Sequence, residues 1–199
     1  GIEFKEIDNP EWAHGLAGSI ECDERVIETS LARDYFMDKL RNTLVLNTEI
    51  EEIKEDASHV YINGEQFDYC IDCTWGHFQK PLDNVFFEPT LLLYYKTENP
   101  IPAFTLVDGN LVSIYPTENE NIYTLSSVIH TPLNSFNDSA EATKWLENEF
   151  TDEHLYDKIE QMEKHASKYF PTFKDNFTYV GPQLSMKTKI TGDDDDRSC

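Results

Sequence analysis

Apolar and polar positions follow two rhythms along this chain, and the rhythm changes near Gly76. In the first part, Leu31, Ala32, Tyr35, Phe36 and Leu40 recur at spacings near 3.6, while Arg33, Asp34, Asp38 and Arg41 fall opposite. That spacing predicts a helix from a Thr29 or Ser30 cap to about Arg41, laid on a sheet. Before it, Gly1–Ser19 reads as loop with one short strand over Ile2–Ile7, and Ile20–Glu28 reads as extended. After it, Thr43–Asn47 is a β-type run, and Glu49–Ile53 continues with an apolar residue at every third place. His59–Ile62 and Gln66–Cys73 flank Asn63-Gly64, a dipeptide that tolerates positive φ, so they predict a hairpin. Tyr69–Cys73 carries little charge besides Asp72, which predicts a strand inside a sheet.

Beyond Gly76 the runs are short, aromatic and β-branched: Val85–Phe87, Leu91–Tyr95, Ala103–Val107, Leu111–Tyr115 and Ile122–Ile129, separated by Pro, Asn and Gly. The turn dipeptide Asp108-Gly109 predicts antiparallel pairing of the third and fourth, hence a meander. Asp138 with Glu141 resembles a capping box, and Ala142, Trp145, Leu146 and Phe150 mark the buried face of the helix that follows. Thr151 caps a second helix, whose Leu155, Ile159, Met162, Ala166 and Tyr169 recur every three or four residues until Pro171 ends it. Asn176–Val180 and Leu184–Ile190 return to extended structure. The fold class is α+β: an incomplete α/β portion over 1–80, an antiparallel sheet with two helices over 81–190, and a segment 191–199 heading back toward the first part.

Composition narrows the functional classes. A chain of 199 residues buries roughly two-thirds of its unfolded surface, enough for one sizeable domain or two small ones. The net charge of −22, from 38 acidic against 16 basic side chains, argues against nucleic acid and anionic membrane as partners, since both reward a basic surface. The absence of any run of about 18 apolar residues, and of a basic-then-apolar leader, predicts a soluble protein without a membrane span. Four scattered cysteines do not form a secreted disulfide framework, so a reducing, cytoplasmic compartment is expected. The chain lacks an initial Met and stops just after an acidic run, which reads as a fragment.

Candidate chemistry is sparse. Cys70-x-x-Cys73 has the spacing of a zinc knuckle or a redox pair, but no second such pair accompanies it, and three residues along a strand turn the sulfurs to opposite faces. Buried core thiols are the expectation. Asp193–Asp196 offers oxygens to a hard cation yet lacks the register of a calcium loop, so it reads as a solvated charge run and no metal site is assigned. His77 and His130 end strands, where chemistry often sits, but neither has a mapped partner and no catalytic base is assigned. Gly-x-Ser-x-Gly, His-Glu-x-x-His and the phosphate-binding Gly-x-x-x-x-Gly-Lys are all missing, which removes the usual support for hydrolases and NTPases. Tyr94, Tyr95, Tyr115 and Tyr123 fit a pocket lining and a packed core equally well.

The order of a capped helix with Arg33–Leu40, then Leu44-Val45-Leu46-Asn47-Thr48-Glu49-Ile50-Glu51-Glu52-Ile53, the Asn63-Gly64 hairpin and Asp68–Gly76 resembles the middle of FAD-dependent oxidoreductases of the D-amino-acid-oxidase-like superfamily. The resemblance covers about Ile20–Gly76. It implies a Rossmann-like flavoprotein in which Ile50 meets the adenine end of FAD through its backbone. The end of the Asp68–Gly76 run, with Cys73, Thr74, Trp75 and Gly76, would approach the dinucleotide, a small Gly allowing close passage of the chain. The family's Gly-x-Gly-x-x-Gly turn and its later flavin-completing segment lie outside these residues, so the resemblance implies a central fragment. It also implies that the second half is a substrate domain with one sheet face over the flavin, and that a small amine or hydroxyl compound is oxidised by hydride transfer to the cofactor. The rival class is a non-catalytic binding module with an aromatic recognition sheet and a vestigial dinucleotide half. An upstream Gly-x-Gly-x-x-Gly would favour the enzyme.

Overall fold

The computed structural model describes residues 3–25, 27–78, 84–107, 109–119 and 121–190. The chain divides into two compact units, Thr29–Asp83 on one side and Gly1–Glu28 with Asn84–Cys199 on the other. Helices and antiparallel sheets make the fold α+β. Among the described residues no helix is long and apolar enough to cross a membrane.

The larger unit is built on a five-stranded sheet. Its strands β6 (Val85–Lys96), β7 (Phe104–Thr105), β8 (Val112–Pro116), β9 (Ile122–Ser127) and β10 (Thr178–Ile190) run in the order β10-β6-β9-β8-β7, every pair antiparallel. This is the expected meander, closed by the last strand returning beside the first. Val85–Phe87 and Leu91–Tyr95 form one strand, because Pro89 removes a donor without breaking the extended path and its carbonyl accepts from the Leu133 amide at 2.9 Å. Phe104 pairs with Ile114 as the hairpin reading requires. Asp108 and the acidic run Asp193–Asp196 lie outside the described residues.

Side chains alternate across this sheet, as strand geometry demands. Leu91, Leu93, Tyr95, Val112, Ile114, Tyr123 and Leu125 all point to one side and are buried with Met162, Ala166, Phe170, Phe173 and Phe177. Those partners come from helix α3 (Asp152–Ser167), from the short helix α4 (Phe173–Asn176) and from the residues around them. Thr151 caps α3 through its side chain, and Asp138 caps α2 (Ser139–Asn148), whose Ala142 packs against Val85 and Phe87. At the N-terminus, β1 (Phe4–Ile7) pairs with β2 (Ser19–Cys22). The loop between them docks on the same core: Trp12 stacks on Phe170 at 5.1 Å, and the His14 amide donates to the Tyr169 carbonyl at 2.8 Å.

The smaller unit contains helix α1 (Thr29–Leu40) and a three-stranded sheet of β3 (Ile53–Glu55), β4 (Val60–Ile62) and β5 (Glu65–Phe67). The hairpin about Asn63-Gly64 forms with φ of 50° and 83°, the left-handed pair a tight two-residue turn needs. Three expectations are corrected here. Thr43–Asn47 is not a strand; it follows a turn in which the Thr43 and Leu44 amides both bond the Leu40 carbonyl, spending their donors on the helix end. The run after Phe67 is irregular through Cys73, so Tyr69 and Ile71 stand 88% and 85% exposed instead of inside a sheet. The α1 stripe is likewise uncovered, with Leu31, Tyr35, Phe36 and Leu40 all exposed. No described residue of Thr29–Phe78 is buried.

Candidate functional site

The residues implied as cofactor contacts sit on two local devices in the smaller unit. Cys73, Thr74, Trp75 and Gly76 belong to a turn over Asp72–Phe78. Asp72 accepts from the Thr74 amide at 2.7 Å, the Thr74 carbonyl accepts from the His77 amide at 3.1 Å, and the Thr74 hydroxyl oxygen accepts from the Phe78 amide at 3.0 Å. Trp75 and Gly76 follow with φ of 59° and 78°. Gly adopts that conformation without cost, whereas for Trp it is an uncommon one. Trp75 is 76% exposed.

Ile50 is placed differently. The side chain of Asn63 in the hairpin turn accepts from the Glu51 and Glu52 amides at 2.9 and 3.1 Å and donates to the Glu49 carbonyl at 2.7 Å. One amide group thus pins the extended stretch that presents the Ile50 backbone, and the Ile50 side chain is itself exposed. Cys73–Gly76 are gathered in a single turn, whereas Ile50 is anchored to the other end of the hairpin. Cys70 and Cys73 are exposed free thiols, contrary to the expectation of buried ones, because the run carrying them forms no strand. Among the described residues no group of three or more His, Cys, Asp or Glu side chains is arranged to hold a metal ion.

In the larger unit, the sheet face turned away from α3 is only partly covered. Across it the register sets Gly181, Tyr94, Thr124 and Tyr115 side by side on four strands. Beside them Gln183 stands opposite Leu92, and Ser126, Ser113 and Thr105 continue across the neighbouring strands. The Tyr94 hydroxyl donates to the Gln183 side-chain oxygen, and the Tyr115 and Thr105 hydroxyls lie 2.8 Å apart. Tyr95 and Tyr123 face the other way and are core residues. The Tyr95 hydroxyl donates to Glu163 at 3.0 Å, Glu163 in turn meets Lys174 at 2.8 Å, and burial with the nearby carboxylate pushes the Tyr95 phenol up. The four tyrosines therefore split evenly between core and open face, by strand parity.

Of the two histidines singled out by sequence, His77 is exposed in the Asp72–Phe78 turn and His130 is half-buried. The His130 ring meets His165 edge-on at 5.6 Å. His165 was not anticipated. It is buried on α3, its Nδ1 2.9 Å from the buried Ser127 hydroxyl, and the Asn110 main chain bonds the ring as well. Burial lowers the pKa of both rings; Lys168 and His130 add to the effect on His165, Lys158 and Lys168 to that on His130. Neutral His165 is a structural acceptor for the Ser127 hydroxyl, and the Ser127 amide in turn donates to the Thr131 hydroxyl oxygen at 2.9 Å. The signal available in the sequence was helical phase: His165 stands three residues after Met162 and next to Ala166 on the buried stripe.

Comparison with known proteins supplies a further finding. No family model matches the chain, and no solved structure matches it. Over 201 aligned residues, covering all of this chain, it is 42% identical to the FAD-dependent monooxygenase FPY4 of Fusarium mangiferae. The chain spans 54% of that relative's length.

Proposed function

We propose that this chain is part of an FAD-dependent oxidoreductase acting on a small molecule. The observation that carries this reading is the 42% identity to an FAD-dependent monooxygenase along the whole chain. At that level, continuous over both units, a shared cofactor follows more readily than a shared substrate. The bound flavin would supply the redox chemistry, and the protein would supply orientation and exclusion of water.

The smaller unit fits a cofactor-holding role in three respects. Its Asp72–Phe78 turn carries a glycine in the left-handed region, a residue type and conformation that let a backbone approach a pyrophosphate. Asn63 holds the Glu49–Glu52 main chain beside Ile50 in a defined path. Its uncovered apolar stripes, Leu31, Tyr35, Phe36 and Leu40 among them, are what a Rossmann-like domain would bury under its remaining strands. In this reading Ile50, Cys73, Thr74, Trp75 and Gly76 hold FAD. The portion over 1–80 is the partial cofactor domain of a D-amino-acid-oxidase-like protein, and 81–190 is the substrate domain. The open sheet face bearing Tyr94 and Tyr115 then supplies substrate contacts. We further read the protein as cytoplasmic. For the reaction itself, the relative's name favours oxygen insertion over the oxidation of an amine or alcohol.

The test is an absorbance spectrum of the protein purified at its full natural length, between about 350 and 500 nm, the range expected of oxidised flavin. Two bands that bleach with a reductant support the reading. A colourless protein that takes up no added FAD would sink it. With flavin present, oxygen-dependent consumption of a nicotinamide reductant then separates monooxygenation from simple oxidation.

A further inference from the structure

On the helical side of the five-stranded sheet, the larger unit holds a cavity of about 260 Å³. We propose that it is a ligand site for a neutral, largely apolar small molecule with one amide or hydroxyl head group, which Asn99 and Thr172 receive at the mouth. The proposal does not draw on the flavin reading.

Preformed walls are the first argument. Phe170, Phe173 and Phe177 make an aromatic floor and are 3%, 1% and 7% exposed. Trp12 lines the cavity stacked on Phe170, while Phe173 and Phe177 stack on each other at 4.9 Å. Another wall is the loop through Ile101, and buried chemistry pins it. The Tyr123 hydroxyl donates to the Ile101 carbonyl at 2.7 Å and accepts from the Ile101 amide at 3.0 Å. The Thr97 hydroxyl oxygen accepts from the Asn99 amide at 3.0 Å, and Pro100 and Pro102 fix φ on either side of Ile101. A cavity whose walls are already held costs little ordering when a ligand enters.

Charge and size set the class. The protein carries −22, yet no residue lining the cavity is charged. Of the ionic neighbours of lining residues in sequence, Glu98 is engaged with Lys96 at 3.3 Å and Lys174 with Glu163 at 2.8 Å, while Glu11 and Asp175 are exposed to solvent. A charged ligand would leave water for aromatic walls with no opposite charge to meet it, which is costly. The volume corresponds to about nine waters at ~30 Å³ each, hence to a ligand of similar size in non-hydrogen atoms.

The mouth supplies the polar contacts. Asn99 and Thr172 are exposed there, and Asn176 joins them: the Asn99 side-chain amide donates to Asn176 Oδ1 at 3.3 Å, and Asn176 Nδ2 donates to Thr172 Oγ1 at 3.0 Å. This relay leaves the Asn99 side-chain oxygen able to accept and the Thr172 hydroxyl able to donate. A carboxamide offers the complementary pair.

Titration calorimetry on the full-length protein with benzamide and benzoate, which share size and shape and differ in charge, tests the site. Benzamide should bind more tightly by about 10-fold or more, because benzoate brings an uncompensated charge against the aromatic walls. Asn99→Ala, at an exposed position outside the strands and helices, should weaken benzamide binding by about 3- to 10-fold, the worth of one neutral hydrogen bond. Thr172→Trp, which sets an indole in the mouth, should abolish it; Asn99→Ala decides alone if the tryptophan disturbs folding. Benzoate binding as tightly as benzamide, benzamide binding unchanged in Asn99→Ala, or no saturable binding of benzamide would each overturn the proposal. Flavin content, read from the visible spectrum of each sample, keeps the two readings apart: a flavin-free protein that binds benzamide in this pattern upholds the site and counts against the oxidoreductase reading alone.

Discussion

At the scale of single residues, two positions have roles that exposure and geometry make testable. His165 accepts the Ser127 hydroxyl inside the core, and its pKa is held below the ordinary value by burial first, then by Lys168 and His130. Because the folded state favours the neutral ring, this contribution is fully present above the unfolded value near 6.5 and is lost as pH falls through the lower folded value. Thermal melts from pH 7.5 to 5 should therefore show Tm falling below about pH 6.5. His165→Phe should flatten that fall while costing about 1–3 kcal/mol at pH 7.5, the price of leaving the Ser127 hydroxyl without its buried partner. A melting curve whose pH dependence is the same in the variant would remove His165 from the explanation. The other position is Gly76. At a φ of 78°, a β-branched residue is strained, and its side chain would project where the chain is proposed to approach FAD. Gly76→Val is expected to lower the flavin content of the full-length protein several-fold, and unchanged flavin per mole would count against that placement.

At the scale of elements, the hairpin of β4 and β5 organises more than itself. Asn63 has the left-handed backbone its turn requires, and it also spends its side chain on three main-chain bonds to Glu49, Glu51 and Glu52. Asn63→Ala gives up the bonds and places a less tolerant residue at positive φ, at a cost of about 2–3 kcal/mol. Hydrogen exchange should show the Glu51 and Glu52 amides losing protection while the β6 amides keep theirs. Equal protection in both proteins would mean the stretch is held by something else. The same dipeptide that announces the turn in the sequence thus also fixes its neighbour, a second role that only the tertiary structure shows.

At the scale of the whole molecule, charge and burial pull apart. A net charge of −22 on 199 residues sets the folded chain against its own repulsion. Raising sodium chloride from 10 to 200 mM shortens the screening length from about 30 Å to under 10 Å, so Tm should rise by a few degrees. A Tm that falls with salt would show that attractive pairs, such as Lys189 with Glu88, outweigh the repulsion. Burial is concentrated in the larger unit, where the sheet packs against α3, while the smaller unit has no buried residue among those described.

What the sequence determined by itself was local. The 3.6-residue stripes of α2 and α3, their caps at Asp138 and Thr151, the turn at Asn63-Gly64 and the short strands of the meander all follow from interactions within a few residues. Chain-local physics suffices for such features. What the tertiary structure decided was every question of covering. Tyr94 and Tyr95 are neighbours of the same type, yet one faces solvent and the other the core, because parity in a strand acquires meaning only when a helix packs on one side. Cys70, Cys73 and Ile71 look like a buried strand in sequence and are exposed, since apolar character states what a segment would gain by burial and says nothing about whether a partner lies against it. His165 became a buried acceptor for the same reason: a helix brought it to Ser127, 38 residues away in the chain.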